Sequence, residues 1–191
     1  MLVLIGKTTS GKTTIRDKLV NEHDWKEIVT YTTRPMRDGE KQDVTYHFIS
    51  QEEFKEKINN GFFAEWKSYI TNEGIWYYGT AKEDIKSADD QTVIILTPDG
   101  VRDILSNELD VSIIYVYSNM TTIYKRLNMR GDKRDEIERR VATDNIDFKG
   151  AELLADKIIY NNDGVDINTV TEDIISCYER IKKGKQWKIS A

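Results

Sequence analysis

One run near the amino terminus has the residue types and spacing to hold a polyphosphate. Gly6-Lys7-Thr8-Thr9-Ser10-Gly11-Lys12-Thr13 fits the pattern G-x-x-x-x-G-K-[ST]. The glycines let the backbone turn so that successive N–H groups point inward at oxyanions. A helix starting here adds the positive end of its dipole. Lys12 sets a point charge against the β- and γ-phosphates, and the Thr13 hydroxyl can ligate Mg²⁺. The motif thus assigns Gly6, Thr8, Thr9, Ser10, Gly11, Lys12, Thr13 and Thr14 to a nucleotide triphosphate. Lys7 is expected to be solvent-exposed and incidental.

Such a loop works only between a buried strand and an amphipathic helix. Residues 1–5 are a continuous apolar run ending at Gly6, as expected for a strand buried on both faces of a parallel sheet. Similar runs recur at 26–29, 92–96, 112–117 and 157–160. Between them lie helical patterns: Ile15, Leu19 and Val20; Val101, Ile104 and Leu105; and Val170, Ile174, Cys177, Tyr178 and Ile181. Strands alternating with helices predict an α/β chain with a five-stranded parallel core sheet flanked by helices. Two segments break the rhythm. Residues 31–80, rich in aromatics and charges, read as a small α+β insertion with a helix at 51–59. Residues 119–150 are highly charged and read as helices joined by Arg130-Gly131-Asp132.

Composition narrows the function classes. The chain has 191 residues, 39% of them apolar, enough for one core and too few for two. With a net charge of -5 it is not built to hold a nucleic-acid backbone, so an anionic ligand must be met by local basic clusters. The one cysteine, Cys177, excludes an internal disulfide and fits a reducing compartment. The run at 1–5 is too short for a signal peptide or membrane span. A soluble, cytoplasmic protein without nucleic-acid or membrane partners is expected.

A second run is more specific. Thr32-Thr33-Arg34-Pro35-Met36-Arg37-Asp38-Gly39-Glu40 is followed by Tyr46-His47-Phe48. With the phosphate loop, Glu65-Trp66, Tyr77-Tyr78-Gly79-Thr80, Arg130-Gly131, Arg139-Arg140 and Asn161, it resembles the guanylate kinase family over nearly the whole chain. The resemblance implies a single P-loop kinase domain, 1–191, whose core spans 1–30, 81–118 and 151–191. Residues 31–80 would be its monophosphate-binding subdomain and 119–150 its helical lid. It implies that the nucleotide of the phosphate loop is ATP, and that the γ-phosphoryl group of ATP passes to GMP, and dGMP with it, Mg²⁺ accompanying ATP.

The same resemblance distributes roles. Arg34, Arg37, Tyr46 and Tyr78 fall on the GMP phosphate, where two guanidinium forks and two phenol hydroxyls suit a dianion. Glu65 and Thr30 fall on the base. A carboxylate accepts from guanine N1–H and the exocyclic amine, and a hydroxyl donates to O6. Adenine would leave those buried groups unpaired. Thr80 matches a further hydroxyl on base or phosphate. Arg130 and Arg140 match lid arginines that reach the transferred phosphoryl group, completing a catalytic set with Lys12 and Arg34. Asn161 falls near the adenine or ribose of ATP. Arg126 and Arg134 read as solvated charges.

One stretch departs from the family. Its usual L-D-x-D run ends the third core strand, where the acids help place Mg²⁺ and the acceptor. Here those acids become Ile95 and Thr97, with Asp99 two residues on. The departure keeps two other readings open: a kinase for another nucleoside monophosphate or a phosphorylated sugar, and a binding module without catalysis. The intact phosphate loop and lid arginines oppose the latter. His47 is expected to face solvent and His23 to lie in a polar turn, neither with a partner set suggesting a ligand or base. Monomer and homodimer are both compatible with the sequence.

Overall fold

The apolar runs become strands, and their order explains why they are apolar throughout. The computed structural model describes residues 1–71, 73–106 and 110–189, with the side chains of the last helix as far as Lys185. The chain opens with β1 (Leu2–Ile5), α1 (Lys12–Glu22) and β2 (Lys26–Glu27). The inserted segment holds β3 (Tyr31–Thr32), β4 (His47–Phe48), α2 (Gln51–Asn59), β5 (Phe63–Thr71) and β6 (Gly74–Ala81). The core resumes with α3 (Lys82–Ser87), β7 (Thr92–Ile95), α4 (Pro98–Ser106) and β8 (Ser112–Tyr117). Then come α5 (Met120–Met129), α6 (Arg134–Asp147), a 3₁₀ turn (Ala151–Leu154), β9 (Lys157–Tyr160) and α7 (Ile167–Ile189).

The core sheet is parallel, with order β2-β7-β1-β8-β9. β1 lies at its centre, and all four of its residues are fully buried. Because side chains alternate across a strand, Leu2 and Leu4 meet Ile15 and Leu19 of α1 and Ile174 and Tyr178 of α7. Val3 and Ile5 meet Val101 and Ile104 of α4 on the opposite face. Two covered faces require the unbroken apolar run. Tyr178 closes one layer, its ring 5.1 Å from Trp25 and its hydroxyl donating to the Asp90 carbonyl at 2.7 Å. Cys177 is buried in the same layer.

The insertion forms its own sheet, β4-β3-β6-β5, mostly antiparallel. Phe54 of α2 stacks on Phe63 of β5 at 4.3 Å and anchors the helix to it. Ser50 caps α2, accepting from the Glu53 amide at 3.0 Å. Helices α5 and α6 carry a separate small core of Ile123, Leu127, Ile137 and Val141. Asn119 caps α5 through the Thr122 amide at 2.8 Å.

Some expectations are corrected. His47, expected to face solvent, is half-buried: its Nδ1 is 2.7 Å from Asp43 and its ring lies 4.5 Å from that of Tyr31. His23 sits 3.6 Å from Glu172. The strand expected at 26–29 is shorter, Lys26–Glu27, because the chain leaves the sheet to reach the insertion. No helix among the described residues is long and apolar enough to cross a membrane. The last two residues of the expected core segment 151–191 lie outside the described residues.

Leu4 is the support nearest the loop that is packed from both helices. Leu4→Ala should lower unfolding free energy by about 3 kcal/mol, measured by urea denaturation.

Candidate active site

The loop after β1 is held from below. Thr9 takes a φ of 51° and Gly11 a φ of 100° before the chain enters α1. A Cβ on Gly11 would stand 2.3 Å from Asn161 Nδ2, so glycine is required on two counts. Asn161, which follows β9, is buried and donates from Nδ2 to the Ser10 carbonyl at 2.8 Å. It braces the loop as well as lining the cleft beside it. Ser10 is fully buried, and its Oγ has no hydrogen-bond partner among the described residues.

Lys12 lies across the loop, donating to the Gly6 carbonyl at 2.6 Å and the Lys7 carbonyl at 2.9 Å. Burial lowers its pKa to about 8, against the pull of Asp144. Lys7 is not incidental: its Nζ donates to Asn145 Oδ1 at 2.7 Å. The neighbouring Thr8 amide donates to Asp144 Oδ2 at 2.5 Å, so α6 rests on the loop.

Two cavities meet at Lys12. A cleft of about 450 Å³ is lined by Thr9, Gly11, Lys12, Thr13, Thr14, Arg126, Arg130 and Asn161. It is of nucleotide size. Arg126, read from sequence as solvated, is half-buried there and donates to the Thr9 carbonyl at 3.0 Å and Ser118 Oγ at 3.3 Å. The available signal was its place one turn before Arg130 on α5. Arg134 is exposed and pairs with Glu138 at 3.1 Å, as expected of a solvated charge. Arg130 is held by Asp132.

On the other side of Lys12, a cavity of about 380 Å³ is lined by Gly6, Thr8, Thr30, Tyr46, Glu65, Tyr78, Thr97, Arg140 and Asp144, among others. An adjoining space brings Arg34, Arg37, Tyr46, Tyr78 and Arg140 together with Thr8. Glu40 holds the Arg34 guanidinium and the Arg37 main chain. Arg34 Nη1 donates to its Oε2 at 2.7 Å, Arg34 Nη2 to its Oε1, and the Arg37 amide to Oε2 at 2.8 Å. The Arg34 guanidinium also stands 5.1 Å from the Tyr46 ring centroid and 5.5 Å from that of Phe48. The Gly39-Glu40 and Tyr46-His47-Phe48 runs therefore place Arg34. Glu136 likewise ties Arg139 at 2.7 Å and Arg140 at 2.6 Å.

Glu65 enters the cavity from β5, where a register shift after Phe63 re-aims the strand. It lies opposite Thr80, whose hydroxyl donates to Glu65 Oε1 at 2.5 Å. Burial raises the Glu65 pKa to about 7, with the Thr80 hydrogen bond opposing the rise. Gly100 leaves room for it: a Cβ there would stand 2.9 Å from Glu65 Oε2. Thr80, which the resemblance put on base or phosphate, is instead fully buried and engaged with Glu65.

The departure at 95–97 has a local explanation. Thr97 caps α4, its Oγ1 accepting from the Gly100 amide at 3.2 Å. Asp99 is engaged by Lys67 at 3.0 Å and Arg102 at 2.7 Å. Lys67 also holds Asp147 of α6 at 3.0 Å. Among the described residues no group of three acids, histidines or cysteines could hold a metal. A lone hydroxyl at Thr13 suits an ion carried on nucleotide phosphates and water, as Mg²⁺ is.

A family model described as guanylate kinase matches residues 1–178. The chain belongs to the guanylate kinase family. The guanylate kinase of Neisseria meningitidis serogroup A is 29% identical over 194 residues, covering 97% of this chain and 91% of that one. That of Onion yellows phytoplasma is 30% identical over 171 residues, covering 85% and 78%. The crystal structure of guanylate kinase from Anaplasma phagocytophilum shares the fold with a TM-score of 0.68 at 22% identity, covering 95% of this chain and 85% of that chain. Guanylate kinases are ATP-dependent phosphotransferases acting on a nucleoside monophosphate. The two cavities meeting at Lys12 have the form that such a reaction needs.

Gly11→Ala should weaken ATP binding by at least about tenfold, read by calorimetry, because the added Cβ displaces Asn161 in a disfavoured backbone region. Adding Asn161→Ala removes the overlap but not the backbone strain, and should restore only part of the affinity.

Proposed function

We propose that this chain transfers the γ-phosphoryl group of ATP to GMP, giving ADP and GDP. The observation that carries the reading is Lys12, which lines both the nucleotide-sized cleft and the cavity holding Glu65 and Tyr78. A cation shared between two sites is where a phosphoryl group passes from one to the other.

On the donor side, the amides of the loop and the start of α1 receive the ATP phosphates, with Arg126 and Arg130 along the cleft. Thr13 would hold Mg²⁺ arriving with ATP, and the ion would supply charge neutralisation there. On the acceptor side, Arg34, Arg37, Tyr46 and Tyr78 bind the GMP phosphate. Glu65, steadied by Thr80, accepts from guanine N1–H and the exocyclic amine, and Thr30 donates to O6. An oxygen of the GMP phosphate attacks the γ-phosphorus, and the bond to the β–γ bridging oxygen breaks with its electrons leaving on ADP. The attacking oxygen is already ionised, so no general base is needed. Lys12, Arg34, Arg130 and Arg140 stabilise the charge in transit. Residues 31–80 act as the monophosphate-binding subdomain and 119–150 as a lid that excludes water, on a core of 1–30, 81–118 and 151–191. The single, buried Cys177 supports a reducing, cytoplasmic setting.

The direct test is ADP production with ATP, Mg²⁺ and each of GMP, dGMP, AMP, CMP and UMP. GMP should be the best acceptor. Turnover with another monophosphate and none with GMP would contradict the proposal, and GMP binding without any turnover would favour a binding module.

Glu65→Gln isolates the base reader. It should raise the KM for GMP about 10- to 100-fold while leaving that for ATP within about twofold. In the parent enzyme GMP affinity should also rise with pH through about 7, as Glu65 becomes a carboxylate able to accept from guanine. Ionisation of GMP itself is common to both proteins, so the pH dependence due to Glu65 is the part missing from Glu65→Gln.

A further inference from the structure

One carboxylate has no part in the chemistry above, yet it stands where that chemistry must happen. Asp144 of α6 accepts from the Thr8 amide at 2.5 Å, taking the kind of N–H that a phosphate loop offers to phosphate oxygens. The contact is reinforced next door by Lys7 Nζ on Asn145 Oδ1 at 2.7 Å. Burial pushes the Asp144 carboxyl above its ordinary value, with the Thr8 hydrogen bond and the charges of Lys12 and Lys7 opposing the rise.

The position on the loop matters. Gly11, Thr13 and Thr14 face the donor cleft. Thr8 and Asp144 face the acceptor side, sharing one cavity with Glu65 and the next with Arg34 and Arg37. Asp144 thus lies between the acceptor-facing end of the loop and the acceptor-phosphate clamp. A phosphoryl group passing between the two nucleotides must occupy that interval.

We propose that Asp144 is a donor-specificity residue, whose carboxylate takes the terminal-phosphoryl position of the nucleotide-free loop and competes with the γ-phosphate of ATP but not with the two phosphates of ADP. The inference rests on the reading of the loop as the ATP site. ATP can seat its third phosphate only when Asp144 withdraws, either by side-chain rotation or with α6. ADP leaves Asp144 in place. The enzyme therefore holds ATP less tightly than its cations alone would allow until the lid rearranges.

The test is calorimetric binding of ATP and of ADP, each with Mg²⁺ and no acceptor, to the parent protein and to Asp144→Asn and Asp144→Ala. The ATP Kd should fall about five- to tenfold in Asp144→Ala and by less in Asp144→Asn, which keeps an acceptor oxygen without the charge. The ADP Kd should change by less than about twofold in both. Asp144→Asn is close to isosteric and keeps the test open if Asp144→Ala does not fold. Asp147→Asn, one turn away on α6 and paired with Lys67, should leave the ATP-to-ADP affinity ratio unchanged. Equal shifts for both nucleotides, no shift, or weaker ATP binding would overturn the proposal. So would a matching change of ratio in Asp147→Asn, which would trace the effect to a loosened lid. Failure of the parent protein to bind either nucleotide would count against the ATP site itself.

Discussion

A kinase that joins two nucleotides must gather many cations in a small space before the phosphates that balance them arrive. Most of the polar structure of this protein answers that constraint. Arg34 is held by Glu40, Arg140 by Glu136 and Arg130 by Asp132. Lys12 lies on two loop carbonyls and within the field of Asp144. Each internal anion keeps its cation near the working position. The pairs differ in how easily they yield. Those of Arg130 and Arg140 are partly exposed, and such pairs contribute little, so exchange for phosphate oxygens costs little. The Arg34 side chain is only 4% exposed, and parting it from Glu40 would leave an unpaired buried charge. Arg34 is thus fixed where it stands, whereas Arg130 and Arg140 can change partners at little cost.

The apolar core supplies the rigid half. β1 is buried on both faces, and its neighbours β7 and β8 are in register along it. The carboxyl ends of these strands deliver Gly6, Thr97 and Ser118 to one rim, with Asn161 following β9. Asn161 connects that last strand to the loop through the Ser10 carbonyl and meets Arg126 from α5 at 3.4 Å. Helices α5 and α6 have their own small core, joined to the rest through Lys7, Thr8 and Lys67. Those joints are polar and can be remade as substrates bind.

Local information was legible in the sequence. The phosphate loop, the apolar strands, the helix Gln51–Asn59 and the charged helical segment each declare themselves within a short window. The arginine run, with its Gly39-Glu40, pointed to the acceptor clamp through resemblance. Long-range side-chain pairing was not legible. Asp144 and Thr8 are 136 residues apart, and Arg126 and Thr9 are 117 apart. Thr80 carries the hydroxyl expected of a ligand contact, but the pairing of β5 with β6 turns it onto Glu65. Thr97 looked like a lost acid, while its position before Pro98 gives it the separate task of capping α4.

The central claim is that a donor site and an acceptor site converge on Lys12. The most direct measurement uses adenosine and guanosine joined through five phosphates as an inhibitor of the forward reaction. The account predicts competition with both ATP and GMP, and binding at least about 100-fold tighter than ATP alone, since tethering makes the second contact intramolecular. Competition with only one substrate, or binding no tighter than ATP, would contradict it.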